Sequence, residues 1–398
     1  MSSTPSPAAV DVVVLGAGPA GAAAAIGLRR LGHSVAILGR PRPAVTEGLG
    51  ARSIERLRAA GLPLAAAAAG DTGPRIGIWA GVRSPRGGES LVDRTLFDRA
   101  LAQDLADAGV SIVHQTARLV KQNEAGWWIA AEGTAFSCRA LIDARGRRAH
   151  GVERNGPRLI AWSERWRGGA PAAVGSAVVA LADGWCWLAK DANGGLQRQF
   201  VCAARPRPTV AQLRERFEAA AAVIPELDFS PRGATPAPLR ATAAAMRCAC
   251  AAPACGYVRI GDAALALDPL SGHGIYEALG SARVGVAALH SYLGGTDWTT
   301  ITRFTIERTA EVWRRAVTTA GEFYRLQADR APSTSFWRST AAEYERLAAE
   351  ADAAVADRRP GRIESRPVLN GTRIEVRPVW VSARWPRGVW RGADGSIK

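Results

Sequence analysis

A glycine-rich turn near the N-terminus limits the folds open to this chain more than any other feature. The turn, Gly16-Ala17-Gly18-Pro19-Ala20-Gly21, directly follows DVVVL at residues 11–15, a β-branched run typical of a buried parallel strand. Gly16 permits a tight turn, Gly18 lets the backbone approach a diphosphate, and Gly21 lets the next helix pack closely on the strand. The turn therefore predicts a dinucleotide-binding fold.

The residues after the turn complete a βαβ unit. Pro19 and Ala20 are predicted to open a helix that continues to residue 30, and its positive dipole end would face the diphosphate. A second strand is expected at residues 34–38. The acidic residue that usually follows this strand and binds ribose hydroxyls is absent, because Gly39-Arg40 stands there. Taken alone, Arg40 would favour a 2′-phosphate and thus NADP.

Further along the chain, the apolar spacing predicts an α/β protein with additional sheet and helix segments. The expected helices lie at 92–108, at 211–222, from about 274, and over 299–357. The expected strands lie at 111–114, at 140–143, at 257–260, in a meander at 117–120, 127–130 and 135–138, and as a sheet between about 159 and 240. Asn370-Gly371 predicts the turn of a β-hairpin between 363 and 390.

Composition narrows the class of protein. No run of about twenty apolar residues and no export signal is present among the 398 residues, so we expect a cytoplasmic protein without a membrane partner. The net charge is +15, carried almost wholly by arginines spread along the chain; the lysines are Lys121, Lys190 and Lys398. That spacing favours an acidic protein partner over nucleic acid.

Six cysteines raise the question of a metal site. Cys248, Cys250 and Cys255 cluster, but they lack paired CxxC spacing and a nearby histidine, which a structural zinc site would supply. We expect no metal, and reduced thiols rather than disulfides.

Two further motifs, added to the glycine turn, give the chain a family resemblance. ALIDARGR at residues 140–147 is similar to a strand-end D-A-T-G-R motif, with Arg145 in place of the threonine, and GDAA at 261–264 is followed by DPLSGHGI at 268–275. In this order and spacing the three motifs resemble the aromatic-hydroxylase and flavin-halogenase superfamily. The resemblance implies FAD, held by the turn and by these motifs. The implied contacts, besides the turn and Arg40, are Arg94, Asp143, Gly261, Asp262, Pro269, Gly272, His273, Gly274 and Ile275.

The halogenases of this superfamily differ from the chain at their functional positions. No lysine that could relay an oxidised halide occurs between Arg75 and Arg83, and Ser271 stands where the halogenases have a glutamate. The sequence is similar instead to halogenase-like flavoproteins that mature tryptophylquinone enzymes, through DPLSGHGI, the GWCW at 184–187, and FYR and SFW at 323–325 and 335–337. That resemblance implies hydroxylation of a tryptophan in a precursor polypeptide.

Candidate catalytic and pocket residues follow from the same segments. His273 lies in the loop that the family places against the flavin and could act as a base or as a structural donor. Glu47 is either an active-site carboxylate or a solvated loop residue. Trp79, Trp185 and Trp187 are candidates to line an aromatic pocket, although aromatic side chains on a sheet are more often core.

Together these features predict an α/β protein with a Rossmann-like FAD-binding domain, an inserted β-sheet substrate domain and a C-terminal helical region. The predicted segments are 8–75, 90–158 and 241–298 for the FAD domain, 76–89 and 159–240 for the sheet, and 299–398 for the helical cap and hairpin. The predicted function is that of an FAD monooxygenase acting on an electron-rich aromatic, with electrons from NAD(P)H or a separate flavin reductase. Alternatives are a halogenase, a double-bond reductase and a non-catalytic flavin-binding sensor or chaperone.

Overall fold

The computed structural model describes residues 7–40, 45–149, 153–169, 173–249, 254–356, 362–381, 389–390 and 396. Eight helices are assigned within these ranges: α1 Pro19–Arg30, α2 Ala51–Ala59, α3 Pro63–Ala67, α4 Arg94–Asp107, α5 Val210–Ala222, α6 Gly274–Leu293, α7 Trp298–Arg330 and α8 Ser335–Ala356. In the part of the chain so described, none of the helices is long and apolar enough to span a membrane. Cys250 lies outside the described residues.

The cofactor lobe is built on a seven-stranded mixed sheet. Its members are β1 Ala8–Leu15, β2 Val35–Leu38, β6 Ile112–Val113, β7 Leu119–Asn123, β8 Gly126–Ala131, β9 Thr134–Asp143 and β18 Tyr257–Arg259, in the order β6-β2-β1-β9-β8-β7 with β18 beside β9. Strands β1 and β9 are parallel, with Leu15 opposite Asp143. The carboxyl ends of these strands and of β18 therefore meet at one edge of the sheet, which is where a doubly wound sheet binds its ligand.

A nine-stranded sheet forms the second lobe. Its members are β3 Thr46–Leu49, β4 Thr72–Trp79, β5 Val82–Asp93, β11 Leu159–Arg167, β12 Gly175–Leu181, β13 Gly184–Lys190, β14 Leu196–Ala203, β15 Thr235–Pro236 and β16 Arg240–Ala243. The sheet takes in residues 46–49, 72–75, 90–93 and 241–243, which the predicted boundaries assign to the FAD domain. Helix α5 covers one face through Leu213 and Phe217, and α7 and α8 cover the other through Tyr324 and Trp337.

Two small sheets complete the fold. β10 Glu153–Arg154, β17 Arg247–Cys248 and β19 Leu265–Ala266 form one, and β20 Arg362–Asn370 with β21 Arg373–Val381 forms the hairpin that Asn370-Gly371 predicts. The backbone N–H of Ile374 donates to Ser291 Oγ at 2.7 Å, so the hairpin is attached to α6. Short 3₁₀ turns occur at Gly146–Arg148, Pro225–Leu227, Gly261–Ala263 and Pro269–Ser271.

Most predicted elements are confirmed, and two are corrected. The helix expected at 92–108 begins at Arg94, because Val92 is still paired with Glu47 in the large sheet and Asp93 caps the helix by accepting from Thr95 N. The strand expected at 140–143 is not separate, since it continues β9 from Thr134. Its first half pairs with β8 and its last three residues pair with β18.

Candidate functional site

The glycine turn has the geometry that close approach to a diphosphate requires. Gly16 has a φ of +109°, and a Cβ on this residue would lie 2.3 Å from the Ala144 carbonyl oxygen. A Cβ on Gly21 would lie 1.8 Å from the Gly16 oxygen. Helix α1 starts at Pro19 with Gly18 as its N-cap, and no side chain caps it. The start of α1 thus offers backbone donors and the helix dipole to an anion, as the phosphates of FAD need.

Position 39 explains why the usual acidic residue is missing. A Cβ on Gly39 would lie 2.6 Å from Ala17 Cβ and 2.7 Å from the Ala17 nitrogen, inside the glycine turn itself. A longer side chain has no room there unless the turn moves. Arg40, the last described residue before residue 45, is exposed.

Asp143 is buried at the end of β9 and is fully engaged by the protein. Its carboxylate accepts from Arg145 Nε at 2.9 Å, Arg145 Nη2 at 2.7 Å and Tyr257 Oη at 2.7 Å. Burial alone would raise its pKa, but the Arg145 guanidinium and Tyr257 outweigh burial and hold the pKa of Asp143 below its usual value. These contacts fix the strand end next to the glycine turn, and Arg145 is part of that anchor.

The GDAA segment at residues 261–264 lies against the glycine turn. Gly261 has a φ of +59°, and a Cβ there would come within 3.0 Å of Ala20 Cβ in α1. Asp262 is half-buried, and Arg147 Nε lies 3.5 Å from its Oδ2. Two segments separated by more than 200 residues are thus brought together at the carboxyl edge of the sheet. Asp262 remains accessible there to the hydroxyls of a bound nucleotide.

The loop from Asp268 to Gly274 is anchored at its buried start by Asp268 and is exposed over its last four residues. Asp268 is buried and accepts from Tyr344 Oη at 2.5 Å, from Tyr324 Oη at 3.3 Å and from the Leu270 amide at 2.8 Å. Burial raises the pKa of the Asp268 carboxyl, and these hydrogen bonds oppose the rise. Above it, residues 271–274 are exposed, and a Cβ on Gly274 would meet nothing within 4 Å. This open backbone fits a flat ring laid against the loop.

A cavity of about 270 Å³ lies between this loop and the large sheet. The loop side consists of Pro269, Leu270, Gly272, Gly274 and Ile275, and the sheet side includes Glu47, Gly48, Arg75, Glu89, Trp185, Trp187, Gln197 and Gln199. The predicted pocket residues Trp185 and Trp187 and the candidate carboxylate Glu47 are therefore brought together with the predicted flavin loop. Most of these residues come from β3, β5, β13 and β14.

The two tryptophans of the cavity differ in role. Trp185 is almost fully buried, and its Nε1 donates to Tyr324 Oη at 3.1 Å, which in turn donates to Asp268. Trp187 is partly exposed, and its Nε1 lies 3.3 Å from Glu89 Oε2. One wall of the cavity is thus linked through hydrogen bonds to the underside of the loop.

Glu47 and Arg94 form a pair at the edge of the cavity. Arg94 is buried, and it contacts Glu47 Oε2 at 3.3 Å and Asp98 Oδ1 at 2.9 Å. Its guanidinium also lies over the Phe97 ring. Only Glu47 of this pair lines the cavity, so Arg94 acts on the cavity through that carboxylate.

Two predicted residues lie elsewhere. His273 is exposed at the start of α6 with its ring 5.9 Å from that of Tyr276, and it is not among the cavity residues. Trp79 is buried in the core beneath α7 and α8, where its ring packs on Trp337 and its Nε1 donates to the Phe323 carbonyl at 2.8 Å. Trp79 is therefore a core residue, whereas the role of His273 stays a prediction.

The sequence analysis missed the ion pair of Arg75 and Glu89, which lines the cavity on β4 and β5. Glu89 follows two glycines and precedes a serine, and this local sequence gives no sign that its side chain is buried. Only the pairing of β4, β5 and β12 brings Arg75, Glu89 and Ser176 together.

None of the five cysteines within the described ranges lines the cavity. Cys138, Cys186, Cys202 and Cys248 are buried, and burial raises the pKa of Cys138 to about 12. In the described ranges, no three His, Cys, Asp or Glu side chains are grouped so that they could hold a metal ion.

Comparisons with known proteins agree with this site. A family model described as an FAD-binding domain matches residues 9–317. The peptidyl tryptophan dihydroxylase QhpG, described as essential for tryptophylquinone cofactor biogenesis, is 32% identical, with a TM-score of 0.81 over 96% of this chain and 90% of that one.

Two halogenases are similar in fold. The flavin-dependent halogenase CmlS is 18% identical with a TM-score of 0.73 over 94% of this chain and 85% of its own, and the chondrochloren halogenase CndH is 22% identical with a TM-score of 0.70 over 88% and 90%. A comparison with curated proteins found no match.

Proposed function

This chain belongs to the FAD-binding-domain family and is an FAD-dependent oxidoreductase, and from that premise we propose that it hydroxylates an electron-rich aromatic ring, namely a tryptophan side chain of a partner protein. The observation that carries the proposal is the cavity between the Pro269–Ile275 loop and the tryptophan wall. Its volume of about 270 Å³ lies just below the range of roughly 300 to 1,000 Å³ that is usual for ligand sites. The cavity therefore suits one aromatic ring system.

FAD is the cofactor, and the chain's own residues prepare its site. The Gly16–Gly21 turn and the start of α1 would hold the diphosphate, Asp262 the ribityl hydroxyls, and the open loop at Gly272 and Gly274 the ring. When bound, FAD supplies the activation of molecular oxygen. The protein binds the aromatic ring on the Trp187 side of the cavity, facing the flavin ring held on that loop, orients it and keeps bulk water away.

The identity of the substrate is inferred from the relative and from charge. QhpG is described as a peptidyl tryptophan dihydroxylase, and 32% identity over 96% of this chain supports the same substrate class here. A net charge of +15 favours an acidic partner, because complementary charge speeds and steers association. The electron donor is NAD(P)H or a separate flavin reductase.

Halogenation is not supported by the residues of the cavity. None of the side chains that line it is a lysine, which a halide relay would require. Lys190, the lysine on β13, is buried and donates to the carbonyl oxygens of Asp228 and Ser230 at 2.6 and 3.3 Å. Lys190 therefore stabilises the loop that contains Asp228 and Ser230.

Co-expression with a tryptophan-containing precursor of a quinone enzyme tests the proposal. We expect mass analysis of the precursor to show added oxygen on a tryptophan, and we expect that tryptophan substrate to stimulate oxygen consumption by the reduced enzyme. A reductase would instead add hydrogen to its substrate without consuming oxygen. A sensor or chaperone would leave the precursor unchanged, and an unchanged precursor contradicts the proposal.

A further inference from the structure

Glu89 is a buried carboxylate in the wall of the cavity. Its side chain is 5% exposed, Oε2 accepts from Ser176 Oγ at 2.5 Å, and Oε1 lies 3.3 Å from Arg75 Nη1. Removing a carboxylate from water is costly, and a single ion pair does not reliably recover that cost. The position of this group beside the predicted substrate calls for a role beyond stability.

The neighbouring strand leaves room for this carboxylate. β3 runs antiparallel to β5, and a Cβ on Gly48 would lie 2.2 Å from the Glu89 carboxyl carbon. Any larger residue at position 48 would displace the carboxylate. Glycine at that position therefore permits the carboxylate to lie at the cavity.

Arg75 connects the carboxylate to the opposite side of the cavity. A Cβ on Gly272, whose φ is +61°, would lie 3.2 Å from Arg75 Nη1. The Arg75–Glu89 pair thus reaches from the sheet to the loop that would hold the flavin ring. A substrate ring between the loop and Trp187 would lie beside this pair.

The contacts of Glu89 indicate what it recognises. Oε2 already receives the indole N–H of Trp187 at 3.3 Å, so the carboxylate is placed to bind this type of donor. An ionised carboxylate has about four acceptor positions, and Ser176, Trp187 and Arg75 occupy three of them.

The other polar side chains of the cavity are engaged elsewhere. Gln197 accepts from the Thr46 amide and donates to the Glu164 carbonyl, and Gln199 donates to Ser163. Glu47, the second carboxylate of the cavity, is 39% exposed and paired with Arg94. Glu89 is therefore the buried anionic acceptor of this cavity.

We propose that Glu89 accepts the ring N–H of the substrate's indole and thereby selects a tryptophan and sets which face and edge of its ring meet the flavin. This inference rests on the proposed function. The proton stays on the indole nitrogen throughout, and the negative charge of the carboxylate enriches the ring in electrons. A charge-assisted hydrogen bond of this kind is stronger than one between neutral groups.

The test measures equilibrium binding to the oxidised, FAD-loaded protein, independently of turnover. The probes are N-acetyltryptophan amide and its 1-methyl and 5-methyl derivatives; the 1-methyl group removes the N–H, and the 5-methyl group adds the same bulk elsewhere on the ring. We expect the wild type to bind the parent compound about 10- to 100-fold more tightly than the 1-methyl compound. The 5-methyl compound should show a smaller loss.

Variants assign that discrimination to Glu89. We expect the ratio of the two dissociation constants to fall in Glu89→Gln, which keeps a neutral acceptor, and to approach one in Glu89→Met. Because the ratio is internal to each protein, partial unfolding of a variant does not change it. Glu164→Gln is the matched control, since Glu164 is a well-buried carboxylate of the same sheet that does not line the cavity, and it should keep the wild-type ratio. If Glu89→Met does not fold, the ratio of dissociation constants in Glu89→Gln tests the role of Glu89.

The outcomes separate this inference from the proposed function. A wild type that adds oxygen to tryptophan but binds the parent and 1-methyl compounds equally would overturn the role of Glu89 and leave the proposed function intact. An unchanged ratio in both variants would do the same. A wild type that binds none of the three compounds and adds no oxygen to tryptophan would overturn both.

Discussion

Tyr344 Oη lies 2.5 Å from Asp268 Oδ2, so helix α8, the last of the described helices, is hydrogen-bonded to the start of the predicted flavin loop. Tyr324 of α7 contacts the same carboxylate at 3.3 Å and also accepts from Trp185 in the cavity wall. The C-terminal helices therefore do more than cover the sheet. They hold the loop and the tryptophan wall at a fixed separation.

Replacement of Tyr344 by phenylalanine should weaken both the fold and the flavin site. Asp268 would lose its shortest hydrogen bond while remaining buried, at a cost of about 1–3 kcal/mol in unfolding free energy. We expect a lower thermal midpoint and weaker FAD binding, measured by flavin fluorescence. Tyr292→Phe is the control, because the Tyr292 hydroxyl contacts Cys255 Sγ and its ring packs on Trp298 away from the loop. Equal FAD affinity in wild type and Tyr344→Phe would contradict this role.

The anchor at Asp143 predicts a specific acid sensitivity. The folded-state pKa of Asp143 is depressed below the ordinary 3.8, so its stabilising contribution is present above pH 3.8 and is lost as the pH falls through the lower folded value. Asp143→Asn should cost about 1–3 kcal/mol at neutral pH, because it leaves the partly buried Arg145 without its charge partner. The variant should also lose less stability than the wild type between pH 4 and about pH 2. Chemical denaturation at several pH values measures both effects, and parallel curves would argue against the assignment.

The packing at Gly39 predicts loose retention of FAD. Without an acidic residue to bind the adenosine ribose, the wild type should lose part of its FAD on extensive dialysis, as followed by flavin absorbance. Gly21→Ala should hold no FAD at all, since its Cβ would meet the Gly16 oxygen.

A control in the same helix separates the turn from general helix effects. A Cβ on Gly27 would lie 2.9 Å from Val286 Cγ2, so alanine there requires a small adjustment between α1 and α6 rather than a change in the glycine turn. Gly27→Ala should therefore release FAD as the wild type does. Full FAD occupancy of the wild type after dialysis would refute the prediction of loose binding.

Substitutions of Trp187 and Trp79 should distinguish a residue of the substrate pocket from a residue of the core. Trp187→Phe should raise KM for the aromatic substrate severalfold, because Trp187 is partly exposed in the cavity, and should lower the unfolding free energy by about 1 kcal/mol, because Glu89 loses one donor. Trp79→Phe should leave KM unchanged and lower the unfolding free energy by about 1–3 kcal/mol, because the Phe323 carbonyl loses its buried donor. Steady-state kinetics and thermal unfolding of the two variants provide the comparison. The opposite pattern would place the pocket elsewhere.

The sequence predicted those features that are encoded locally. The glycine turn, helix α1 and the hairpin at Asn370-Gly371 each depend on residues within one short segment, and the structure has them where expected. The start of α4 was displaced by two residues because the pairing of Val92 with Glu47 is a long-range contact. The spacing of apolar residues within one segment cannot predict a partner that is distant in the sequence.

Contacts between distant segments could not be predicted in the same way. Tyr257 and Asp143 are 114 positions apart, and Tyr344 and Asp268 are 76 apart. The role of Glu89 depends on Gly48, Arg75 and Ser176 from three other strands. The family motifs indicated the predicted flavin loop, whereas the wall opposite it depends on strand pairing in the folded sheet.

The most direct test of the central claim is isotope labelling with ¹⁸O₂. The FAD-loaded protein, a reductant and a tryptophan-containing partner polypeptide are incubated under labelled oxygen, and the tryptophan is analysed by tandem mass spectrometry. We predict that the label enters the indole ring, and that it enters less readily with Trp187→Phe. A polypeptide that gains no labelled oxygen while the flavin is reoxidised would contradict the account.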